Sequence, residues 1–171
     1  MHSADVAPLP DLTPDCGACA ALCCVALAFD EGEDFAIDKP AGLPCPHLAH
    51  HECTIYDRLH GEGFAGCERY DCQGAGQRTL AAHDGVSWRD DLEQLAPMLE
   101  TFRHMRWIHY QIAVLDTAGA LPLEDDEEAD RQRYLAALAD PDLTPGGAAA
   151  LATGDLRREI PRFLRGLAHH V

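Results

Sequence analysis

The stretch CGACAALCC, residues 16 to 24, places four sulfurs within nine residues, at Cys16, Cys19, Cys23 and Cys24. Four more follow at Cys45, Cys53, Cys67 and Cys72, and no cysteine occurs in the 99 residues after them. Thiolates suit zinc, iron and copper(I) alike. Eight of them satisfy two four-cysteine zinc sites, or one or two iron–sulfur clusters that take four cysteines each. A third arrangement is one four-ligand site plus buried or catalytic thiols. On a helix turning about 100° per residue, Cys16, Cys19 and Cys23 fall within roughly 60° on one face, and Cys24 is turned about 100° away. Cys23 and Cys24 are therefore expected to serve different metals, or different atoms of one cluster. His47, His50 and His51 flank Cys45 and Cys53, and each could replace a sulfur as ligand.

Composition narrows the choice. The chain has 171 residues, 29 acids against 13 bases and a net charge of −16. A nucleic-acid partner requires a positive surface, and an anionic membrane face repels such a chain. No window reaches the ~18 apolar residues of a membrane span. The opening MHSADVAPLPDLTPD lacks the charged start and apolar run of a secretory signal, so a cytoplasmic setting is expected. Disulfides are rare in a reducing compartment. Clustered cysteines there more often bind metal or do redox chemistry. The expected partners are metal ions, with no nucleic acid and no membrane.

The elements that must position these thiols divide the chain unevenly. Residues 1–14 carry three prolines and read as an extended arm. Residues 15–78 read as a cysteine-rich, loop-rich metal-binding domain. Asp15 is placed to cap a helix over Cys16 to Phe29, and DEGED and DKPAGLPCP are turn chemistry. Residues from Cys53 to Cys72 offer short segments and no apolar core of their own, so a bound metal is expected to hold them. Residues 88–171 read as helical. Leu95, Met98, Leu99, Phe102, Met105, Ile112 and Leu115 repeat at helical spacing, with Pro97 kinking or restarting the helix. LEDDEEADRQRYLAALAD has its acids early, as the helix dipole prefers. Thr144 and Pro145 open a further helix, and the last is interrupted or restarted at Pro161. The fold class is mostly α: a cysteine-rich domain packed on a small C-terminal helical bundle.

The order C-x2-C-x3-C-C, then LPCPHL, ECTIYDR and GC-x2-YDC, resembles the YkgJ-type cysteine cluster proteins, over about residues 15 to 78. All eight cysteines fall where that pattern has them. The resemblance implies a zinc- or iron-chelating domain with Cys16, Cys19, Cys23, Cys24, Cys45, Cys53, Cys67 and Cys72 as its metal residues, and it implies no particular reaction. The segment, including AIDKPAG and YDC-x-GAGQ, is also similar to a cysteine-rich part of some bacterial pentapeptide-repeat proteins; no such repeat follows here. Flagellin lysine-N-methylases share a related cysteine cluster, but nothing else in this chain resembles them.

Other residues weigh less. His109 lies on the apolar stripe and reads as a hydrogen-bonded core histidine before it reads as a ligand; His60, His83 and His104 have weaker claims. His169 and His170 are expected to be solvated at a frayed end. Arg58 and Arg69 are expected to offset the charge of thiolates beside them, and Tyr56 and Tyr70 to pack over the cysteine loops. EDDEEAD lacks the ligand spacing of an EF-hand, and GAGQ fits neither a dinucleotide fingerprint nor a P-loop. No serine-nucleophile motif is present. The leading function is a structural or chelating metal module. Behind it stand a metal-dependent enzyme with a zinc or iron centre between the two halves, an iron–sulfur redox protein, and metal storage or delivery.

Overall fold

The computed structural model describes residues 8–171. It is mostly helical, with 54% helix and 4% strand. No helix among the described residues is long and apolar enough to cross a membrane. Residues 1–7 of the expected arm lie outside the described residues. The rest of the arm is tied down: Leu9 and Leu12 pack against the main core, and Gln77 Nε2 donates to the Thr13 carbonyl at 2.7 Å.

Asp15 does cap a turn, accepting from the N–H groups of Gly17 and Ala18 at 3.0 and 3.1 Å. The turn is a single 3-10 turn, Cys16–Ala18. Ala21 is left-handed at φ 55°, and a short helix, α1, starts afresh over Leu22–Ala26. Two pieces thus replace the expected continuous helix from Cys16 to Phe29. The cause is tertiary. The indole N–H of Trp88 donates to the Ala20 carbonyl at 2.7 Å, occupying an acceptor that a continuous helix would offer to the Cys24 N–H.

The segment that follows is built of turns. Strand β1, Leu48–Ala49, pairs antiparallel with β2, Glu52–Cys53. A 3-10 turn covers Tyr56–Arg58, and α2 covers Ala65–Arg69. This region has a small apolar core after all: Phe29, Ile55, Leu59 and Phe64 are buried together. The Phe35 ring stacks on Phe29 with centroids 4.3 Å apart. It lies where a Cβ on Gly66 would sit, 2.4 Å from its nearest carbon, so α2 needs glycine there. Helix α3, Ala75–Ala82, follows from a left-handed Gly74; the turn-like GAGQ concealed it.

The helical half follows the apolar pattern closely. A 3-10 turn, Leu92–Gln94, leads into α4, Leu95–Ala118, with Pro97 in its first turn, where a missing N–H costs nothing. Then come α5, Asp125–Leu138, α6, Pro145–Thr153, and α7, Leu156–Gly166. Helix α7 runs through Pro161 rather than restarting at it. A last 3-10 turn, Leu167–His170, closes the chain. Helix α4 is the hub, with α3, α5, α6 and α7 packed around it. Its Met98, Phe102, Met105, Ile108, Ile112 and Leu115 are all but inaccessible to solvent. Ala20, Leu22 and Val25 join this same core, so the first cysteines are anchored directly on the helical bundle.

Candidate metal centre

All eight cysteines are unpaired. The break at Ala21 and the turns up to Cys72 sort them into two groups of four. Cys16, Cys19, Cys23 and Cys72 line one cavity of about 20 Å³ between the 3-10 turn, α1, α3 and the Phe102 ring of α4. That is room for one water-sized body. Cys24, Cys45, Cys53 and Cys67 instead pack into the small aromatic core with Phe29 and Phe64. Adjacent Cys23 and Cys24 thus border different spaces, although their side chains are hydrogen-bonded to each other and the continuous helix used to argue their separation is broken. The backbone ties this second group to itself, with Cys45 N–H donating to the Cys24 carbonyl at 3.0 Å.

Local geometry explains the placement. Gly76 of α3 lies so close to Cys19 that a Cβ would stand 2.5 Å from its Sγ. Cys53 is set opposite Leu48 by the β1–β2 register. Burial pushes the Cys19 thiol up to about 12 and the Cys67 thiol up to about 11. Burial, with neighbouring thiols of like charge, also raises Cys16 and Cys45. Cys23 is driven up furthest, first by its hydrogen bond with Cys24 and then by burial. Such thiols keep their protons at neutral pH, and a metal ion would displace them on binding.

Two further groups belong to this region: Lys39, of which sequence spacing gave no sign, and Tyr70, expected to pack over the cysteine loops. Lys39 is only 4% exposed. Its ammonium donates to the carbonyls of Leu27, Leu43, Pro40 and, at 3.4 Å, Val25, and it lies 4.8 Å from the centre of the Phe29 ring. Burial lowers its pKa, while Cys45, Cys24 and Cys67 act in the opposite direction. Tyr70 is the second. Its hydroxyl is buried and has no hydrogen-bond partner among the described residues, and its pKa is raised by burial and by the charges of Cys23, Cys72 and Cys19. A buried phenol without a partner is costly; beside thiols it is a ready donor to a thiolate.

The other sequence candidates are engaged elsewhere. Arg58 pairs with Glu62 at 2.8 Å and Arg69 with Asp34, so these arginines are engaged by carboxylates, and Lys39 is the cation that feels the charge of Cys45, Cys24 and Cys67. Tyr56 is 64% exposed and covers nothing. His47 stands edge-on to Phe64. His50 occupies a left-handed turn position at φ 54°. His51 Nε2 meets Ser87 Oγ at 2.7 Å, and His83 donates to Thr101 at 3.0 Å. His109 is a satisfied core residue. Its Nδ1–H donates to the Gln73 carbonyl, and its Nε2 accepts from Arg78 at 3.2 Å. Burial lowers its pKa to about 4, so it stays neutral.

The donor set fits a thiolate-held metal by chemistry: eight free thiols, four of them lining a cavity of ionic size, and a buried hydroxyl that feels the charge of three of those four. Spacing adds a qualification. Among the described residues, the trio of His, Cys, Asp or Glu ligand atoms that comes within 4.8 Å throughout is Glu127, His169 and His170, not three cysteines. Sulfurs on one tetrahedral zinc stand about 3.8 Å apart, so the thiols must draw inward to close on a single ion. A polynuclear cluster spreads its cysteines over several metals and needs less of that movement.

Beside Cys72 and Gln73 opens a cleft of about 320 Å³, walled on the α4 side by Arg103, Arg106, Trp107 and Tyr110. Arg106 lies over the Tyr70 ring at 5.2 Å. Among the described residues, neither Arg103 nor Arg106 pairs with a carboxylate, which is notable in so acidic a chain.

No family model matches the chain, and no solved structure matches it. It is similar to a Bacillus subtilis (strain 168) protein described as uncharacterized protein YybG, with 39% identity over 115 residues. The match takes in 66% of this chain and 41% of that relative, so the chain spans about two fifths of the length of the curated protein it resembles.

Proposed function

We propose that this is a metal-binding protein whose eight cysteines chelate zinc or iron in two groups: Cys16, Cys19, Cys23 and Cys72 in one, Cys24, Cys45, Cys53 and Cys67 in the other. The observation that carries this reading is the cavity walled by all four thiols of the first group. The resemblance to YkgJ-type cysteine cluster proteins supports it independently. Bound in a closed set of four thiolates, such an ion supplies folding free energy; with an open position it supplies Lewis acidity. Around it, Lys39 balances thiolate charge and Tyr70 gives its unpartnered hydroxyl to a sulfur.

The test is metal and acid-labile sulfide content of untagged protein purified without oxygen. One or two zinc per chain supports the zinc form, and iron with matching sulfide supports the iron–sulfur form. No metal at all would sink the reading. Cys19→Ser and Cys45→Ser should each lower the content, and together lower it further. If neither changes it, the assignment of ligands is wrong.

A second reading is a metal-dependent enzyme centred at the junction of the two halves. The cleft beside Cys72 favours it, because the cleft joins a candidate ligand to two aromatic rings and to two arginines that pair with no carboxylate among the described residues. Its substrate would be anionic. Binding of a small aromatic carboxylate that is lost in Arg103→Gln supports this reading; binding unchanged by that substitution removes it.

A further inference from the structure

The end of the chain meets the first turn of α5 at one carboxylate. Glu127 Oε2 lies 2.7 Å from His170 Nε2, and its Oε1 lies 3.5 Å from His169 Nε2. All three ligand atoms fall within 4.8 Å of one another. The histidines are adjacent in sequence, yet their rings lie side by side, with centroids 3.9 Å apart. Both therefore offer Nε2 to the same carboxylate. The site is set into the surface: the side chains of His170 and Glu127 are 8% and 19% exposed, while that of His169, at 59%, opens to solvent. The expectation that both histidines are solvated thus fails for His170.

The hydrogen bonds say what is missing between these groups. His169 Nδ1 lies 2.8 Å from the Gly166 carbonyl. A carbonyl only accepts, so Nδ1 carries the proton, and in the neutral ring Nε2 is then a bare lone pair. That lone pair faces a carboxylate oxygen, one acceptor against another. A cation resolves the conflict, either a proton on Nε2 or a metal ion between them. A histidine whose far N–H is fixed on a backbone carbonyl is held as metal-ligating histidines are held. The carboxylate is fixed as well. Glu127 Oε2 accepts from the Glu124 N–H at 2.9 Å as part of the capping box that opens α5. Ligands 2.0–2.1 Å from a tetrahedral zinc stand about 3.4 Å apart. The observed separations of 2.7 and 3.5 Å lie on either side of that figure.

We infer that Glu127, His169 and His170 form a metal site separate from the thiols, for a divalent transition-metal ion such as zinc. Two imidazoles and a carboxylate suit zinc, cobalt and iron(II), and three protein ligands leave a position for water or an oxygen ligand. The ion would clamp the C-terminal turn onto the N-terminus of α5.

The competing explanation is an ordinary ion pair between Glu127 and His170. His169 separates the two, because that pair survives without it. The experiment titrates cobalt(II) into the full chain carrying whatever its thiols already hold, and into His169→Ala and Glu127→Gln. One additional cobalt per chain is expected, with visible ligand-field absorption and no sulfur-to-cobalt charge transfer. Affinity should fall at least about tenfold in both variants. Absence of that nitrogen–oxygen spectrum in the wild-type chain overturns the inference, as does an identical titration in His169→Ala. Cobalt on thiols announces itself by charge transfer, so failure of the cysteine reading would not be mistaken for failure of this one.

Discussion

Residues 15–78 and residues 88–171 solve the same problem by different means. In the helical half, backbone groups pair within helices, and α4 buries one apolar side chain after another against its neighbours. Its helix ends are finished locally, by Thr144 at α6 and by the Glu124–Glu127 capping box at α5. Arg131 closes the C-terminus of α4, donating to the Leu115 carbonyl at 3.1 Å. In the cysteine-rich half the helices have five to eight residues and the strands two. Some of its backbone acceptors are met from a distance, the Val25 and Leu27 carbonyls by the Lys39 ammonium and the Ala20 carbonyl by the Trp88 indole. Its interior holds thiols that burial keeps protonated. The helical region satisfies its backbone locally, whereas the cysteine-rich region buries thiols and lends Ala20, Leu22 and Val25 to the shared core. The lesson is that regularity and burial are separable. A segment with little secondary structure can still be tightly organised if single polar side chains gather its carbonyls.

The largest test of this contrast is metal removal. Structural zinc supplies on the order of 10 kcal/mol per site. After exhaustive chelation, amide exchange should therefore lose protection across residues 15–78, while α4 to α7 keep theirs. Equal loss in both regions would break the comparison. Next in size, Ile112→Ala in the main core, away from the thiol-lined cavity, should cost about 4 kcal/mol and leave metal content per folded chain unchanged, read by urea melts and elemental analysis. Lys39→Met strands several buried carbonyls and should cost about 3 kcal/mol. Unlike Ile112→Ala, it should also weaken metal retention; if retention holds, Lys39 serves the backbone alone.

A smaller effect follows from His109. Its pKa is lowered from 6.5 to about 4 by burial, with the Arg78 charge adding in the same sense. The unfolded chain thus takes up the proton first, so stability is full above pH 6.5 and is lost as pH falls toward 4. Between pH 7 and pH 5 the loss should be about 2 kcal/mol, measured as a shift in urea midpoint, and His109→Gln should flatten that part of the profile. A profile equally steep in the variant would assign the acid loss to other groups. Smallest is Thr144→Ala, whose side chain accepts from the Gly147 N–H at 3.1 Å. Loss of this cap should cost about 1 kcal/mol without touching the thiols.

The legible parts were those governed by local rules. The apolar spacing from Leu95 to Leu115 specified α4, because a 3.6-residue period needs no distant partner. The N-caps at Asp15 and Thr144 were readable for the same reason. The helix from Cys16 to Phe29 was misread because Trp88, 68 residues from Ala20, captures its carbonyl. Helix α3 was missed because Gly76, inside it, is demanded by the close approach of Cys19, and only Gly74 by the left-handed turn before it. Lys39 looked like one more turn residue, since nothing in its neighbours marks a lysine whose target is four carbonyls.

By itself, the sequence determined that this chain is acidic and mostly helical, and that its thiols are confined to the first 72 residues. Composition and short-range periodicity act through neighbouring residues, so they can be read without a fold. Only the tertiary structure decided which four thiols line the cavity beside Phe102, which lysine is buried on the carbonyls near the others, and that the Tyr70 hydroxyl has no partner among the described residues. It also brought Glu127 to His169 and His170, at the far end of the chain. Those are contacts between residues tens of positions apart, and chain closure over such distances follows from the packing of the whole core rather than from any local rule.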